Sequence, residues 1–159
     1  MLRLPAHRLL AGAALPLLVL FAGCCPQQLL LRSCGAVDRI RIEASEQLNT
    51  CDESGAHPVK LYIYSLAAAE QFRAAEFSAL FDNDLKALGD DKLDVIEKTV
   101  RPGETLELKL PRADGAKAIG IVADFCQQSS NCWKRSIDLE KKGARIGIAL
   151  GKNCMTVTD

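Results

Sequence analysis

Hydrophobic and polar residues alternate with a period of two in several short segments of the chain. Ile40 and Ile42 alternate with charged neighbours, and Leu106 and Leu108 do so again further on. This alternation predicts half-buried strands, each with one face on a core and the other in solvent. Apolar or β-branched runs predict further strands at 58–66, 93–100, 118–125, 133–140, 145–150 and 154–158. Short strands at regular spacing indicate a mainly β protein, a β-sandwich.

One segment has a different period. Between Leu66 and Leu88, large apolar residues recur mostly at helical spacing. We therefore predict a helical insertion at about 67–90, between two strands. Asp82 or Asp84 is predicted to N-cap a second short helix where the pattern is interrupted, because a carboxylate accepts hydrogen bonds from free backbone N–H groups. Gly89 is predicted to end the insertion.

The start of the chain has the layout of a secretory signal. A basic stretch with two arginines is followed by an apolar run from Leu9 to Phe21 and by two small residues directly before Cys24. This arrangement resembles the lipidation signal of bacterial lipoproteins. The resemblance implies that residues 1–23 are removed as a signal peptide and that Cys24 carries acyl chains. In such lipoproteins an Asp after the lipidated cysteine favours the inner membrane. Here Cys25 follows, which implies the outer membrane, facing the periplasm.

Composition limits the partners of the mature chain. Residues 1–23 contain two arginines and no acidic residue, so 18 of the 20 basic residues and all 20 acidic residues remain, a net charge of −2. Proteins that bind nucleic acid usually carry a basic patch or stripe, so no nucleic-acid partner is expected. The remaining length suits one domain. We place this domain at 37–159, behind an acylated N-terminus and tether at 24–36.

Seven cysteines point to an oxidising compartment such as the periplasm. The first predicted disulfide joins Cys126 to Cys132 across a short polar loop. A second joins Cys34 near the mature start to Cys154 near the end. Cys51 lies in a polar loop and is either free or paired with the cysteine that follows the lipidated one. The absence of a C-x2-C pair argues against a zinc site.

The sequence offers little catalytic chemistry. The mature part has a single histidine, His57, in the long polar loop 45–57, and a nucleophile pair would need Cys51 as a thiol. Asp82 and Asp84 lack the glycine and glutamate of a calcium loop, so capping explains them better than a metal site. Trp133 is predicted to be a core residue. We therefore expect no enzyme, no cofactor and no metal.

Several motifs follow one another in an order that resembles a known family. It is similar to the TssJ outer-membrane lipoproteins of the bacterial type VI secretion system. The motifs are Arg39-Ile40-Arg41-Ile42-Glu43-Ala44, Leu48-Asn49, Val59-Lys60-Leu61-Tyr62-Ile63-Tyr64-Ser65-Leu66, Phe72, Glu76-Phe77, Leu80-Phe81, Leu88-Gly89-Asp90-Asp91, Arg101-Pro102-Gly103-Glu104, Ile119-Gly120-Ile121-Val122-Ala123-Asp124-Phe125 and Trp133.

This resemblance implies a transthyretin-like β-sandwich with a helical insertion and a structural role. The family recruits the periplasmic part of TssM, an inner-membrane protein, through the loop between the first two strands. Here that loop corresponds to 45–57, and the implied contact residues are Leu48, Asn49, Thr50, Asp52 and Glu53. The alternative function is a periplasmic ligand-binding lipoprotein with a pocket beside His57 or Trp133, or an enzyme that uses Cys51 and His57.

Overall fold

Strands dominate the computed structural model, which describes residues 36–53, 55–128, 131–140 and 143–158. The strands are β1 (Val37–Ala44), β2 (Val59–Leu66), β3 (Lys92–Val100), β4 (Thr105–Pro111), β5 (Ala118–Ala123), β6 (Lys134–Asp138), β7 (Arg145–Leu150) and β8 (Met155–Thr158). Helices α1 (Glu70–Ala74) and α2 (Phe77–Leu88) lie between β2 and β3, and a 3-10 turn at Gly89–Asp91 follows them. The predicted mainly β fold with a helical insertion is confirmed.

The strands form two four-stranded sheets. Sheet A has the order β4-β1-β7-β8, and sheet B has the order β3-β2-β5-β6. All neighbours are antiparallel except β1 and β7, which run parallel. Ile40 and Ile42 of sheet A and Leu61 and Ile121 of sheet B belong to one hydrophobic core cluster and are at most 1% exposed. The alternation seen in β1 therefore reflects one face in the core and one in solvent.

The two helices cover the outer face of sheet B. Phe72 of α1 lies against Tyr64 of β2, with the ring centroids 5.8 Å apart, and Phe81 of α2 contacts Tyr62 edge-on at 5.1 Å. Every residue of β5 is buried as a result, because that strand has the core on one side and helices on the other. The strand order also makes β2 a central strand of sheet B. Trp133 is also buried, as predicted.

A break in α2 corrects the predicted cap. Asn83 has non-helical backbone angles, and its side-chain Oδ1 accepts a hydrogen bond from the Lys86 N–H at 3.0 Å. The residue that caps the second half of the helix is therefore Asn83, whereas the prediction of Asp82 or Asp84 was wrong. The Asp84 carboxylate instead pairs with Lys92 at 2.7 Å. Gly89 ends the helix with a positive φ of 54°, as predicted.

A buried ion pair fixes the end of sheet A at which β1 begins. Asp38 is 1% exposed, and its carboxylate accepts two hydrogen bonds from the Arg112 guanidinium, at 2.6 and 2.8 Å. The Ala144 N–H donates a third, at 2.8 Å. The hydrogen bond to Asp38 raises the pKa of Arg112 further above its ordinary value. These contacts tie β1 to the segments after β4 and before β7, and they satisfy a charge that would be costly to bury alone.

We predict that Gly120→Ala destabilises the domain. A Cβ atom at Gly120 would lie 2.7 Å from Cε2 of Phe72, closer than packed atoms approach. The Phe72 ring must then shift, and overpacking of this kind costs about 1–3 kcal/mol of unfolding free energy. Urea unfolding measures the change. In a Phe72→Leu background the same substitution should cost much less, and an equal cost in both backgrounds would contradict the packing described here.

Candidate functional site

Four loops meet at one end of the sandwich, which we call the loop end. The first is the β1–β2 loop, 45–58, which passes from sheet A to sheet B. It lies beside the β5–β6 loop, 124–133, and the β7–β8 loop, 151–154. The Thr50 N–H donates to the Lys152 carbonyl at 3.2 Å, and the Cys126 N–H donates to the Asn49 side chain at 2.9 Å. The Gly103 N–H of the β3–β4 turn, 101–104, donates to the Ser45 carbonyl at 3.2 Å, so the β1–β2 loop is attached to all three neighbouring loops.

Two residues predicted to contact a partner are buried within this loop. Leu48 is fully buried in the hydrophobic core, and Asn49 is only 6% exposed. Neither side chain lies at the surface, which argues against a direct contact of these two residues with a partner. A leucine in a polar loop is buried here because the loop crosses between the sheets and closes the open edge of the core.

We call Asn49 the clamp of the loop end, because its side chain joins the β1–β2 loop to itself and to a neighbouring loop. Its φ is +48°, a left-handed conformation that Asn tolerates better than most residues. Its Nδ2 donates to the Pro58 carbonyl at 3.0 Å, which closes the loop on itself. Its Oδ1 accepts from the Cys126 N–H at 2.9 Å, which joins the loop to the β5–β6 loop. One side chain therefore fixes both ends of the segment between Asn49 and Pro58.

The cysteine pairs differ from those predicted. Cys51 is bonded to Cys126, with the Cα atoms 5.7 Å apart, and Cys132 is bonded to Cys154 with the Cα atoms 5.0 Å apart. The predicted pairs Cys126–Cys132 and Cys34–Cys154 were wrong. Sequence proximity suggested the first, but the sheets bring the β1–β2 loop beside Cys126 and the β7–β8 loop beside Cys132. Cys34 itself lies outside the described residues, as does Cys24.

A small polar network that the sequence did not reveal completes the clamp. The Asn153 Nδ2 donates to the Thr50 carbonyl at 3.3 Å and to the Gln127 side chain at 3.1 Å. The Gln127 Nε2 donates in turn to the Cys51 carbonyl at 3.0 Å. The residues come from three separate loops, so no local pattern could connect them. The only hint in the sequence was that two amide side chains, Gln127 and Asn153, lie in polar loops.

The exposed part of the β1–β2 loop is acidic. Asp52 and Glu53, two of the predicted contact residues, are exposed, as is Glu46, and Thr50 is half-buried. No lysine or arginine occurs between 45 and 58. A fixed loop with several carboxylates can bind a basic or hydrogen-bond-donating surface.

The alternative enzyme would need Cys51 as a free thiol near His57. Cys51 is held in a disulfide, so it offers no thiolate beside His57. Among the described residues, no group of three His, Cys, Asp or Glu is arranged to hold a metal ion. No helix in the described part of the chain is both long and apolar enough to cross a bilayer.

A pocket with a volume of about 400 Å³, which we call the hollow, lies between α1 and β6, beside Trp133. The Lys134 Nζ donates to the carbonyls of Phe72, Arg73 and Ala75 at the end of α1. Burial lowers the pKa of this lysine. The Arg73 guanidinium forms two hydrogen bonds of 2.8 Å with Asp138. Arg73 and Lys134 thus hold α1 on sheet B. Arg135, the third cation that lines the hollow, donates to the carbonyls of Asn131 and Lys134.

The fold and the loop end define a β-sandwich domain that presents a clamped, acidic loop. The family model described as type VI secretion lipoprotein (VasD, EvfM, TssJ, VC_A0113) matches residues 37–158, and this chain belongs to that family. A comparison with curated proteins finds no match.

Solved structures agree with this assignment. The type VI lipoprotein TssJ1 of Pseudomonas aeruginosa is 25% identical, with a TM-score of 0.74 over 78% of this chain and 95% of that chain. A chain in a structure described as a type VI membrane complex is 26% identical, with a TM-score of 0.70 over 78% and 98%. A chain in a structure described as the TssM C-terminal domain (869-1107) from EAEC is 23% identical, with a TM-score of 0.69 over 78% and 98%. At 23%, this last match supports the fold alone.

We predict that Asn49→Gly lowers the unfolding free energy by about 2 kcal/mol, because two hydrogen bonds of about 1 kcal/mol each are lost. Asn49→Ala should cost about 1 kcal/mol more, since alanine adds strain at a positive φ whereas glycine does not. Urea unfolding of the oxidised protein measures both values. A glycine variant as stable as the wild type would show that the side chain does not clamp the loop.

Proposed function

We propose that this protein is acylated at Cys24, is held in the outer membrane facing the periplasm, and recruits the inner-membrane protein TssM to assemble the type VI secretion membrane complex. The observation that carries the proposal is the clamped acidic loop at 45–58 in a member of this lipoprotein family. A chain that is 26% identical occurs in a structure described as a type VI membrane complex, which supports a role in such an assembly. The role is structural and not enzymatic.

The loop end suits recognition because the β1–β2 loop is already ordered before a partner binds. Binding a flexible loop costs the entropy of ordering it, whereas a loop already fixed by Asn49 and the Cys51–Cys126 disulfide avoids most of that cost. We assign the contact to Thr50, Asp52 and Glu53, and we assign Leu48 and Asn49 to holding these residues in place. The partner surface is expected to offer basic groups or N–H donors to the carboxylates.

The proposal also divides the chain into three segments with separate roles. Residues 1–23 are the signal peptide, 24–36 are the acylated N-terminus and tether, and 37–159 form the domain. Two or more acyl chains give stable anchoring, whereas one gives only marginal binding. The outer-membrane position follows from the lipidation signal and from Cys25 in place of an aspartate.

We predict that Asp52→Lys together with Glu53→Lys weakens binding to the TssM periplasmic domain at least about tenfold, because opposite charges become like charges across the contact. The control variant carries Asp114→Lys and Glu140→Lys. Both control residues are exposed, and they lie beside the opposite ends of β4 and β6. It makes the same change in net charge and should bind as the wild type does.

Surface plasmon resonance with immobilised TssM domain and the mature lipoprotein in detergent measures both affinities. Equal weakening in the two variants would mean that the loss of affinity comes from the change in net charge and not from a contact of the loop. Full binding by the loop variant would place the contact elsewhere on the domain.

We predict that Cys24→Ser leaves the precursor uncleaved and stops its delivery to the outer membrane, because serine has no thiol to acylate. Membrane fractionation and the mass of the N-terminal peptide check this outcome. Cys25→Ser serves as the control and should be processed normally. Processed Cys24→Ser protein in the outer-membrane fraction would contradict lipidation at this position.

The second candidate function is ligand binding in the hollow beside Trp133. The observation in its favour is the hollow itself. Its lysine and two arginines are already engaged by backbone carbonyls and by Asp138, so a ligand would have to displace existing contacts, including those that hold α1. The loop end presents exposed carboxylates on a loop held by Asn49 and a disulfide, and we favour it for that reason.

A further inference from the structure

Three basic residues stand in one row across the outer face of sheet A. Arg39 of β1 is directly opposite Lys109 of β4 on one side and Arg145 of β7 on the other. All three are exposed, because they alternate with the buried residues of their strands. We call these three residues the basic row. Neighbouring strands are only about 4.8 Å apart, so the row concentrates three positive charges in a short distance.

The basic row lacks the ion pairs that neutralise Arg41, which lies two residues further along β1. Arg41 lies 2.6 Å from the Glu43 carboxylate and 3.7 Å from that of Glu107. Within the described residues, no ion pair joins any member of the basic row to a carboxylate. Like charges directly opposite one another destabilise a sheet. An uncompensated row of this kind is typical of a surface that binds an anion.

The row lies close to the point at which the domain meets its tether. Arg39 is the third residue of β1, and Cys24 is 15 positions before it in the sequence. Fifteen residues span at most roughly 50 Å, whatever their conformation. A membrane that holds Cys24 is therefore within easy reach of the basic row. The β1–β2 loop begins at the other end of the same strand.

We propose that the basic row binds the anionic phospholipid headgroups of the membrane in which the protein is anchored. Arginine and lysine side chains are long enough to reach phosphates while the strands stay outside the lipid. A lipid anchor combined with a basic surface is a known way to strengthen attachment. The contact holds the tether end of sheet A at the membrane and leaves the loop end free for a protein partner. A membrane is favoured over a protein because the tether brings lipid, and no other known partner, to this end.

The test uses the mature acylated protein reconstituted in vesicles of phosphatidylcholine alone or with about one third phosphatidylglycerol. Acetylation of Lys109 is followed by mass spectrometry, with the exposed Lys98 of sheet B as an internal reference. The ratio of the Lys109 rate to the Lys98 rate should fall at least about threefold in the anionic vesicles. High salt should restore it, because salt screens exposed charges.

Two double variants with the same change in net charge test whether the basic row causes the protection of Lys109. Arg39→Gln with Arg145→Gln should remove the protection of Lys109, whereas Lys60→Gln with Lys86→Gln, equal in charge and located on β2 and α2, should leave it unchanged. Equal acetylation in both kinds of vesicle overturns the proposal. Protection of Lys109 already present in detergent also overturns it, because the protein's own chain would then cover the row. Protection that requires the TssM domain overturns it as well.

This proposal rests on acylation of Cys24, so the mass of the N-terminal peptide is measured on the same sample. An unacylated peptide would count against the proposed function. An acylated peptide with unprotected Lys109 would count against the basic row alone.

Discussion

The side chain of Asn49 holds the loop end together. Its two hydrogen bonds join the start of the β1–β2 loop to Pro58 and to Cys126, from one position in a left-handed conformation. The neighbouring Leu48 is anchored in the core, and the Cys51–Cys126 disulfide links residues 75 positions apart. A cross-link over that separation stabilises a fold by roughly 4 kcal/mol in the chain-entropy account, whereas two neutral hydrogen bonds give about 2 kcal/mol. The disulfide therefore contributes most to stability, and Asn49 sets the geometry.

Most of the fold follows from patterns that are local in sequence. The strands β1 and β4 could be predicted because one face of each is in solvent, which leaves a period of two. The disulfides could not be predicted, since Cys51 and Cys126 meet only through the arrangement of two sheets. The burial of Leu48 and Asn49 was missed for the same reason, because a polar loop gives no sign that it crosses the core. Asn83 was passed over as a cap because two carboxylates flank it.

The charges of the domain are distributed unequally along β1. At one end the strand leads into a loop that carries Glu46, Asp52 and Glu53, and near the other it places Arg39 between two further cations. This distribution agrees with a domain that lies between a membrane and a protein partner. The formal net charge of the full chain is zero and hides the separation entirely. Only the strand register brings Arg39, Lys109 and Arg145 together, because they are distant in sequence.

The central claim is that a loop fixed in advance recognises the partner. The most direct measurement compares the affinity of the TssM periplasmic domain for the wild type and for a Cys51→Ser, Cys126→Ser variant that retains the Cys132–Cys154 bridge. Near-ultraviolet circular dichroism confirms that the variant is folded. We predict binding about tenfold weaker in the variant, equivalent to about 1.4 kcal/mol of loop ordering. Equal affinity of the folded variant and the wild type would contradict the claim.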